Sequence, residues 1–468
     1  MPETLVDKIW SSHLVGQRLD GKDLIYIDRH VLHELHAPEA FRRLSAKGRQ
    51  VRRADLTFGV LDHTVSTAIG RDDTSNPDGV DFIHAMREGT SRFGVRLFDL
   101  DDPFQGISHV VGPEIGLILP GMTYACPDSH ASTVGGLGAL AFACGTSELE
   151  HVLSTQTIAV RKPKTLLVRL TGRLSRFVSG KDVALRVLAE LGVDGAQGHI
   201  VEYSGPTIDE LGIEARLTLC NLSIEMGARS GLIAADETTF EWLQGRAYAP
   251  SGVELDEAVA SWRGLRTDVG ATFDRVVEID CEALEPYITW GTDPSQALPV
   301  SGVVPDPSLL DPDRRDRVVR SLEYMGLDAG EPLVGLSVDR VFIGSCTNSR
   351  LSDLEAAAAV VADRHIARGV VGLVVPGSSL VKRQAEALGL DAVFVRAGFR
   401  WGEAGCSMCA AGNGDRGEPG ERCVSTTNRN FENRQGRGVR THLASPATAA
   451  AAAIAGEIVD VRTFVGVL

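Results

Sequence analysis

The chain has 468 residues, of which 43% are hydrophobic and 23% are charged. This length and balance indicate a folded protein of about three domains, and they exclude a fibrous, disordered or disulfide-stabilised miniature protein. The formal net charge of −15 opposes binding to nucleic acid and to anionic membranes.

The N-terminal residues are acidic where a secretion signal would be basic and then apolar. The longest featureless apolar run covers residues 449–455, far fewer than the roughly 20 residues that span a bilayer. We therefore expect a soluble, cytoplasmic protein with no membrane or nucleic-acid partner. Its eight cysteines are expected to be buried thiols or metal ligands.

Predicted strands and helices alternate along most of the chain. In the first half, strands are predicted over 165–170 and 199–203, with a helix over 180–191 between them that begins with a capping box of Ser179 and Asp182. Later predictions follow in chain order: a strand over 338–343, a helix over 349–364, a strand over 370–375, a helix over 380–388, a strand over 392–395 and a helix over 447–455. This alternation predicts an α/β fold with parallel sheets.

Turn-forming residues accumulate between residues 245 and 312 and indicate a boundary. We predict an N-terminal α/β catalytic region over residues 1–290 that contains two domains. A linker-rich connection over 291–335 and a third α/β domain over 336–468 follow.

Three cysteines carry the clearest chemical signal. Cys406 and Cys409 form a C-x-x-C pair, which by itself fits a redox dithiol, half of a zinc site or part of an iron–sulfur site. Cys346 directly follows a predicted strand and precedes a polar helix start, which places it at the strand end where open α/β sheets bind ligands. Three cysteines that face one crevice can hold three irons of a cubane cluster and leave the fourth iron as a Lewis acid.

Three motifs resemble the aconitase superfamily, and specifically the large subunits of 3-isopropylmalate dehydratases. They are Gly-Ser-Cys-Thr-Asn-Ser at 344–349, Gly-Cys-Ser-Met-Cys at 405–409 and the arginine-rich loop at 427–437. The resemblance extends from residue 26 to residue 446. It implies an aconitase-like three-domain core of parallel or mixed sheets flanked by helices, with a cluster in the crevice between domains.

The resemblance also implies roles for individual residues. Cys346, Cys406 and Cys409 would hold one [4Fe-4S] cluster per subunit, with one iron not ligated by protein. The catalytic residues would be Asp62, His63, Asp128, Ser129, His130 and Glu225. The substrate-binding residues would be His33, Asn221, Asn428, Arg429 and Arg434.

The residue types suit these roles. A neighbouring acid keeps an imidazole charged or fixes its tautomer, as in the pair of Asp62 and His63. Planar guanidinium groups, such as those of Arg429 and Arg434, bind carboxylates bidentately. Asn221 and Glu225 are one helical turn apart and share a face, which fits either a hydrogen-bond network near the cluster or a solvated surface. The pairing of His33 with Glu34 is the isopropylmalate-type pattern.

The implied activity is that of a hydro-lyase acting on a small dicarboxylic hydroxy acid. It would isomerise 2-isopropylmalate and 3-isopropylmalate by dehydration and rehydration through isopropylmaleate, in leucine biosynthesis. The family's swivelling domain, which carries a serine base, has no counterpart after Leu443. We therefore expect a separate small subunit that supplies this domain in a heterodimer.

Two departures from the family pattern leave another substrate open. Pro127 stands where the family has glycine before Asp128, and Val134 stands where it has histidine. A related enzyme for a citraconate, methylmalate or homocitrate type of acid would also fit. Two further alternatives are an RNA-binding protein that lacks the cluster, which the net charge opposes, and a structural subunit that holds zinc.

Overall fold

The computed structural model describes residues 1–466, and within them it has nineteen strands and sixteen α-helices. The strands are β1 (Leu14–Gln17), β2 (Asp23–Tyr26), β3 (Arg29–His33), β4 (Thr57–Val60), β5 (Arg96–Phe98), β6 (Thr123–Cys126), β7 (Leu140–Ala143), β8 (Thr157–Val160), β9 (Lys164–Thr171), β10 (His199–Ser204), β11 (Ser230–Ile233), β12 (Arg275–Asp280), β13 (Tyr287–Thr289), β14 (Ala297–Pro299), β15 (Arg340–Ile343), β16 (Val371–Val374), β17 (Arg400–Trp401), β18 (Arg422–Ser425) and β19 (Arg440–Leu443).

The helices vary between five and fourteen residues in length. They are α1 (Leu5–His13), α2 (Ala37–Ala46), α3 (Val80–Phe93), α4 (Ser108–Glu114), α5 (Thr146–Thr155), α6 (Gly180–Leu191), α7 (Pro206–Glu210), α8 (Ile213–Leu222), α9 (Glu237–Leu243), α10 (Val253–Trp262), α11 (Pro312–Met325), α12 (Leu351–Val361), α13 (Ser379–Ala387), α14 (Leu390–Ala397), α15 (Pro446–Ala455) and α16 (Val461–Gly466). No helix within the described residues combines the length and the apolar character that crossing a bilayer requires.

The described chain divides into two compact units that are interleaved in sequence. The first unit contains Met1–Val65, Asn76–Gly172 and Asp194–Asp280, and the second contains Ser66–Ser75, Arg173–Val193 and the described part of Cys281–Leu468. Each of these units contains three separate segments, whereas each of the predicted ranges, 1–290, 291–335 and 336–468, is one continuous segment.

The first unit is built on a five-stranded sheet with the order β5-β4-β3-β6-β7, in which every pair of neighbours is parallel. The chain starts in the middle at β3, runs outward through β4 and β5, and then returns to the other side of β3 as β6. The strand order therefore reverses between β3 and β6, and parallel sheets bind ligands at such a point. A four-stranded parallel sheet, β11-β10-β9-β12, and a three-stranded antiparallel sheet, β1-β2-β8, complete this unit.

The second unit repeats the same winding. Its five-stranded parallel sheet has the order β17-β16-β15-β18-β19, so the reversal falls between β15 and β18. The sequence gives no sign of this repetition, because the two sheets share a topology and not a motif. A short antiparallel pair, β13 and β14, accompanies the sheet.

Apolar side chains fix the helices to the first sheet. Ile9, Phe41, Met86 and Leu149 from α1, α2, α3 and α5 are buried in one core together with strand residues such as Leu140. Burial of large apolar side chains of this kind stabilises a fold by about 1.5–3 kcal/mol each. In the second unit, α15 is buried almost throughout because its alanines let the helix pack closely.

Most predicted elements agree with the structure, and the predicted α/β class with parallel sheets is confirmed. The prediction of a strand over 392–395 is wrong, since these residues lie within helix α14. Gly389 and Gly398 adopt left-handed conformations that begin and end this helix. Phe394 and Ala397 are buried three residues apart while Val395 is exposed, which is a helical pattern that the β-branched residues concealed.

Candidate active site

Acidic residues and histidines collect at the carboxyl ends of the first unit's five-stranded sheet. β3 ends at His33 and is followed by Glu34, β4 is followed by Asp62 and His63, and β6 is followed shortly by Asp128. Because parallel strands end at the same edge, the sheet brings together side chains that are far apart in sequence. Two of these strands, β3 and β6, flank the point where the strand order reverses.

Asp128 lies at the centre of this group. Its Oδ2 is 3.2 Å from Nε2 of His63, and its Oδ1 is 3.1 Å from Nε2 of His109 and 3.6 Å from Nδ1 of His130. Burial alone would raise the pKa of Asp128, but the three imidazoles hold it well below its usual range. The carboxylate therefore stays ionised, and it lies close enough to His63 and His109 to orient their rings.

His63 lies between two carboxylates. Its Nδ1 makes a very short contact with Oδ1 of Asp62, and its Nε2 faces Asp128. Burial alone would lower the pKa of His63, but Asp62 and Asp128 raise it well above its usual value. His63 thus holds a proton at neutral pH, close to the strand ends. The backbone N–H of Ser108 donates to the other oxygen of Asp62 at 3.1 Å.

Sequence reasoning missed His109. It lies in α4, is 1% exposed and pairs with Asp128. No acid stands next to it in the chain and two valines follow it, so the sequence carries no sign that this histidine is functional. Only the fold brings it to the carboxylate.

His130 belongs to a second acid–imidazole pair. Its Nε2 is 2.8 Å from Oε1 of Glu225, and both side chains are buried. The hydroxyl of Ser129 is 3.3 Å from the other ring nitrogen of His130. Asn221 donates from its amide to the hydroxyl of Thr133 at 2.8 Å, so it supports the same 3₁₀ segment, Ser129–Leu137.

The structure corrects one local prediction about Asn221 and Glu225. Helix α8 ends at Leu222, and Glu225 lies in the following 3₁₀ turn, Ser223–Met226, so the two residues do not share one regular helix. Both are nevertheless buried, and the alternative of a solvated surface is wrong.

His33 has a defined tautomer. Its Nε2 lies 3.0 Å from the backbone oxygen of Pro127, which can only accept, so Nε2 carries the hydrogen. Burial lowers the pKa of His33 to about 4, and the ring is neutral at pH 7. Its Nδ1 is therefore a buried acceptor, and it has no partner among the described residues. The ring stacks on His63 with 4.4 Å between centroids.

Glu34 anchors the loop after β4. Its carboxylate accepts hydrogen bonds from the backbone N–H groups of Asp62, His63 and Thr64 at 2.6–3.2 Å. Among the described residues, His33, Glu34, Asp62 and His63 form the one group whose potential metal-ligand atoms all lie within 4.8 Å of one another. Because Glu34 already accepts these hydrogen bonds and Asp62 is paired with His63, the group is better explained as a hydrogen-bond network than as a metal site.

The second unit carries the three predicted cysteine ligands at the corresponding edge of its own sheet. Cys346 follows β15, Cys406 and Cys409 follow β17, and Asn428 follows β18. All three cysteines are at least 92% buried. The amide nitrogen of Asn428 is 3.4 Å from Sγ of Cys346, and its oxygen is 3.6 Å from Sγ of Cys409. One amide therefore touches sulfurs from two separate loops.

The backbone at these loops is strained. Ser345 has φ +82° and Ser407 has φ +50°, which are left-handed conformations that side chains other than glycine rarely adopt. The hydroxyl of Ser345 lies 3.2 Å from Sγ of Cys409 and 4.0 Å from Sγ of Cys346. The strain places both serines beside the cysteines, as is typical of a ligand-holding loop.

The donor set fits an iron–sulfur cluster. All three thiols are buried, those of Cys346 and Cys409 contact the amide of Asn428, and none of the eight cysteines forms a disulfide. Three cysteines can hold three irons of a cubane cluster and leave the fourth open, whereas a structural zinc ion usually takes four protein ligands.

Asp415, also missed in the sequence, supports the loop of Cys406 and Cys409. Its Oδ2 accepts hydrogen bonds from the hydroxyls of Ser407 and Thr67 and from the amide of Asn413. Ser407 lies between the two cysteines, so Asp415 fixes the strained residue of the C-x-x-C turn.

Two arginines follow Asn428 in the same loop of the second unit. Arg429 and Arg434 are both partly buried. Nε of Arg434 is buried and has no hydrogen-bond partner among the described residues. An unpartnered guanidinium N–H is suited to a carboxylate ligand.

Buried acid–imidazole pairs lie in the first unit and three buried thiols lie in the second, and acid–imidazole pairs of this kind are typical of α/β enzymes that transfer protons. The model of the aconitase family (aconitate hydratase) matches residues 7–456. The chain belongs to the aconitase family, and it is an enzyme of the hydro-lyase and isomerase type. Members of this family generally bind a [4Fe-4S] cluster. The resemblance read from the motifs is thus confirmed at the level of the family.

A solved structure is also similar in part. The holo-form of aconitase X from Thermococcus kodakaraensis shares 12% sequence identity with this chain and has a TM-score of 0.46. The match covers 91% of this chain and 89% of the other.

Proposed function

We propose that the chain is the large subunit of a [4Fe-4S] hydro-lyase that interconverts 2-isopropylmalate and 3-isopropylmalate through isopropylmaleate. The observation that carries the proposal is the buried network in which Asp128 contacts three imidazoles, because dehydration and rehydration both require protons to be delivered and removed at defined positions. The place of this enzyme would be leucine biosynthesis in the cytoplasm.

Cys346, Cys406 and Cys409 would hold the cluster. When bound, the cluster supplies a Lewis-acid iron that polarises the hydroxyl of the substrate. Asn428 and Ser345 contact the sulfurs and would orient them.

His63 is the residue best prepared to give a proton to the departing hydroxyl. It is charged because two ionised carboxylates face its two ring nitrogens, and it would take a proton back from the water that adds during rehydration. Glu225 holds the ring of His130 in one orientation, as Asp62 holds the ring of His63.

The substrate has two carboxylates and one hydroxyl. Arg429 and Arg434 would bind the carboxylates, because guanidinium groups match carboxylate geometry. The neutral Nδ1 of His33 would accept a hydrogen bond from the substrate or from an ordered water molecule. Asn221 and Asn428 would complete the polar surroundings of the substrate.

The chain needs a partner under this proposal. None of the residues assigned above is an unprotonated strong base placed to remove a carbon-bound proton, and we propose that a separate small subunit supplies it. The large chain alone would then be nearly inactive.

The departures at Pro127 and Val134 favour a second candidate, a hydratase for another alkylmalate. Val134 is fully buried in the 3₁₀ segment Ser129–Leu137, so an imidazole that the family has in this segment is replaced by a core side chain. Pro127 keeps a role through its backbone oxygen, which fixes His33.

Anaerobic loading of the purified chain with iron and sulfide, followed by addition of the small subunit, tests the proposal. Isopropylmalate, methylmalate and a homocitrate analogue are assayed side by side, with the large chain alone as the control. We expect the highest kcat/KM with isopropylmalate and almost no turnover without the partner. A preference for another acid would support the second candidate, and no hydratase activity with any of them would contradict both.

A further inference from the structure

Lys181 is a buried lysine in the second unit that the proposed mechanism does not use. It is the second residue of α6, and its side chain is fully buried. Its Nζ donates to the backbone oxygens of Thr426 and Thr427, and it lies 3.5 Å from the side-chain oxygen of Asn348. All three hydrogen-bond partners of Nζ among the described residues are carbonyl or amide oxygens, and none is a carboxylate.

The two acids whose charges act on Lys181 bind other groups. Asp182 accepts hydrogen bonds from the backbone N–H groups of Tyr287 and Ser179, and Asp353 accepts from Asn348 and Arg350. A buried ammonium group without a close counter-ion is costly. Burial lowers the pKa of Lys181 to about 7, although Asp353, Asp182 and the sulfurs of Cys409 and Cys346 oppose this effect.

Lys181 contacts two segments that lie next to the cysteine ligands. Thr426 and Thr427 directly precede Asn428, whose amide contacts Cys346 and Cys409. Asn348 is two residues from Cys346. The ammonium group thus lies next to both segments that present polar groups to the sulfurs.

Binding of a cluster would bring negative charge close to Lys181, whose ammonium group has no carboxylate partner in the described part of the chain. Cysteine binds iron as a thiolate, and three thiolates leave a net negative charge on a buried cluster. A positive group fixed nearby stabilises this charge, and outer contacts of this type tune metal affinity and potential.

We propose that Lys181 is the counter-charge of the cysteine site, and that its ammonium group favours both retention and reduction of the cluster. It is a positioning residue, since it acts through the Thr426–Asn428 segment and through its field. This inference rests on the proposed cluster at Cys346, Cys406 and Cys409.

The test compares Lys181→Met and Lys181→Gln with the wild-type chain and with Lys164→Met, a change at an exposed lysine. The glutamine side chain can still donate to the backbone oxygens but carries no charge, so it separates anchoring from charge. After anaerobic loading, the measurements are iron and sulfide per chain, the rate of iron loss to a chelator, and the midpoint potential from an EPR-monitored titration.

We expect both Lys181 variants to lose iron roughly 10-fold faster and to have a more negative midpoint potential than the wild type. Lys164→Met should match the wild type. If the midpoint potential of Lys181→Gln equals that of the wild type, Lys181 is not the counter-charge of the cysteine site, even if the variant is less stable. Wild-type protein that takes up no iron and sulfide would instead contradict the proposed cluster, and this inference with it.

Discussion

Oε1 of Glu225 lies 2.8 Å from Nε2 of His130, although the two residues are 95 positions apart in the chain. Both side chains are buried, so the contact is hardly screened by water. The carboxylate determines which ring nitrogen carries the hydrogen and leaves Nδ1 to face Ser129 and Asp128. The orientation of this imidazole therefore depends on Glu225.

Glu225→Gln should reduce kcat by about 10²–10⁴ with little change in KM. Glutamine has the same size but removes the charge that orients and stabilises His130, and acid–base groups contribute about this much to catalysis. Steady-state kinetics of the loaded complex check the prediction. Glu241→Gln changes an exposed glutamate of the same unit and should leave kcat unchanged. A wild-type kcat in Glu225→Gln would show that His130 does not need this carboxylate.

His33→Leu should lower kcat/KM by about 10-fold to 100-fold. The substitution removes the buried acceptor at Nδ1, and leaving a buried hydroxyl donor without its acceptor costs about 1–3 kcal/mol. Glutamine can donate to the backbone oxygen of Pro127 and still offer an acceptor, so His33→Gln should recover part of the loss. The exposed His84 provides the control as His84→Leu. Equal losses in the leucine and glutamine variants would argue against a role for the acceptor.

The sequence was sufficient to predict the α/β class and the residues that stand next to one another in a motif. Asp62 with His63 and the C-x-x-C pair are examples, because local spacing already contains the chemistry. It could not predict the contact of His109 with Asp128 or that of Asp415 with Ser407, since these depend on how separate loops meet after the chain has wound its sheets. The strand wrongly predicted over 392–395 has the same origin, because helical burial of Phe394 and Ala397 is a tertiary property.

Asp415→Asn should make the loaded protein lose iron roughly 10-fold faster to a chelator. Three donors, from Ser407, Thr67 and Asn413, point at one oxygen of Asp415, and an amide at this position either weakens the acceptor or directs its own N–H groups at them. The turn between Cys406 and Cys409 would then relax. Asp363→Asn, at an exposed aspartate of the same unit, is the control. Identical rates of iron loss in both variants would show that the turn holds its shape without Asp415.

His30→Leu should make the protein less sensitive to acid. His30 is fully buried in β3, and neither ring nitrogen has a hydrogen-bond partner among the described residues. Burial lowers its pKa to about 3, whereas an unfolded histidine has a pKa of about 6.5. Protonation therefore favours the unfolded chain, and the histidine lowers the free energy of unfolding progressively as the pH falls below about 6.5.

Leucine removes this linkage together with an unsatisfied polar group. At about pH 7.5, the free energy of unfolding of His30→Leu should equal that of the wild type or be slightly higher. At about pH 5, the difference in favour of the variant should be larger by roughly 2 kcal/mol. Urea denaturation at the two pH values measures the difference, with His84→Leu as the exposed control. The same change in stability at both pH values would mean that His30 is not held neutral in the folded protein, because only a depressed pKa makes the benefit of the substitution grow as the pH falls.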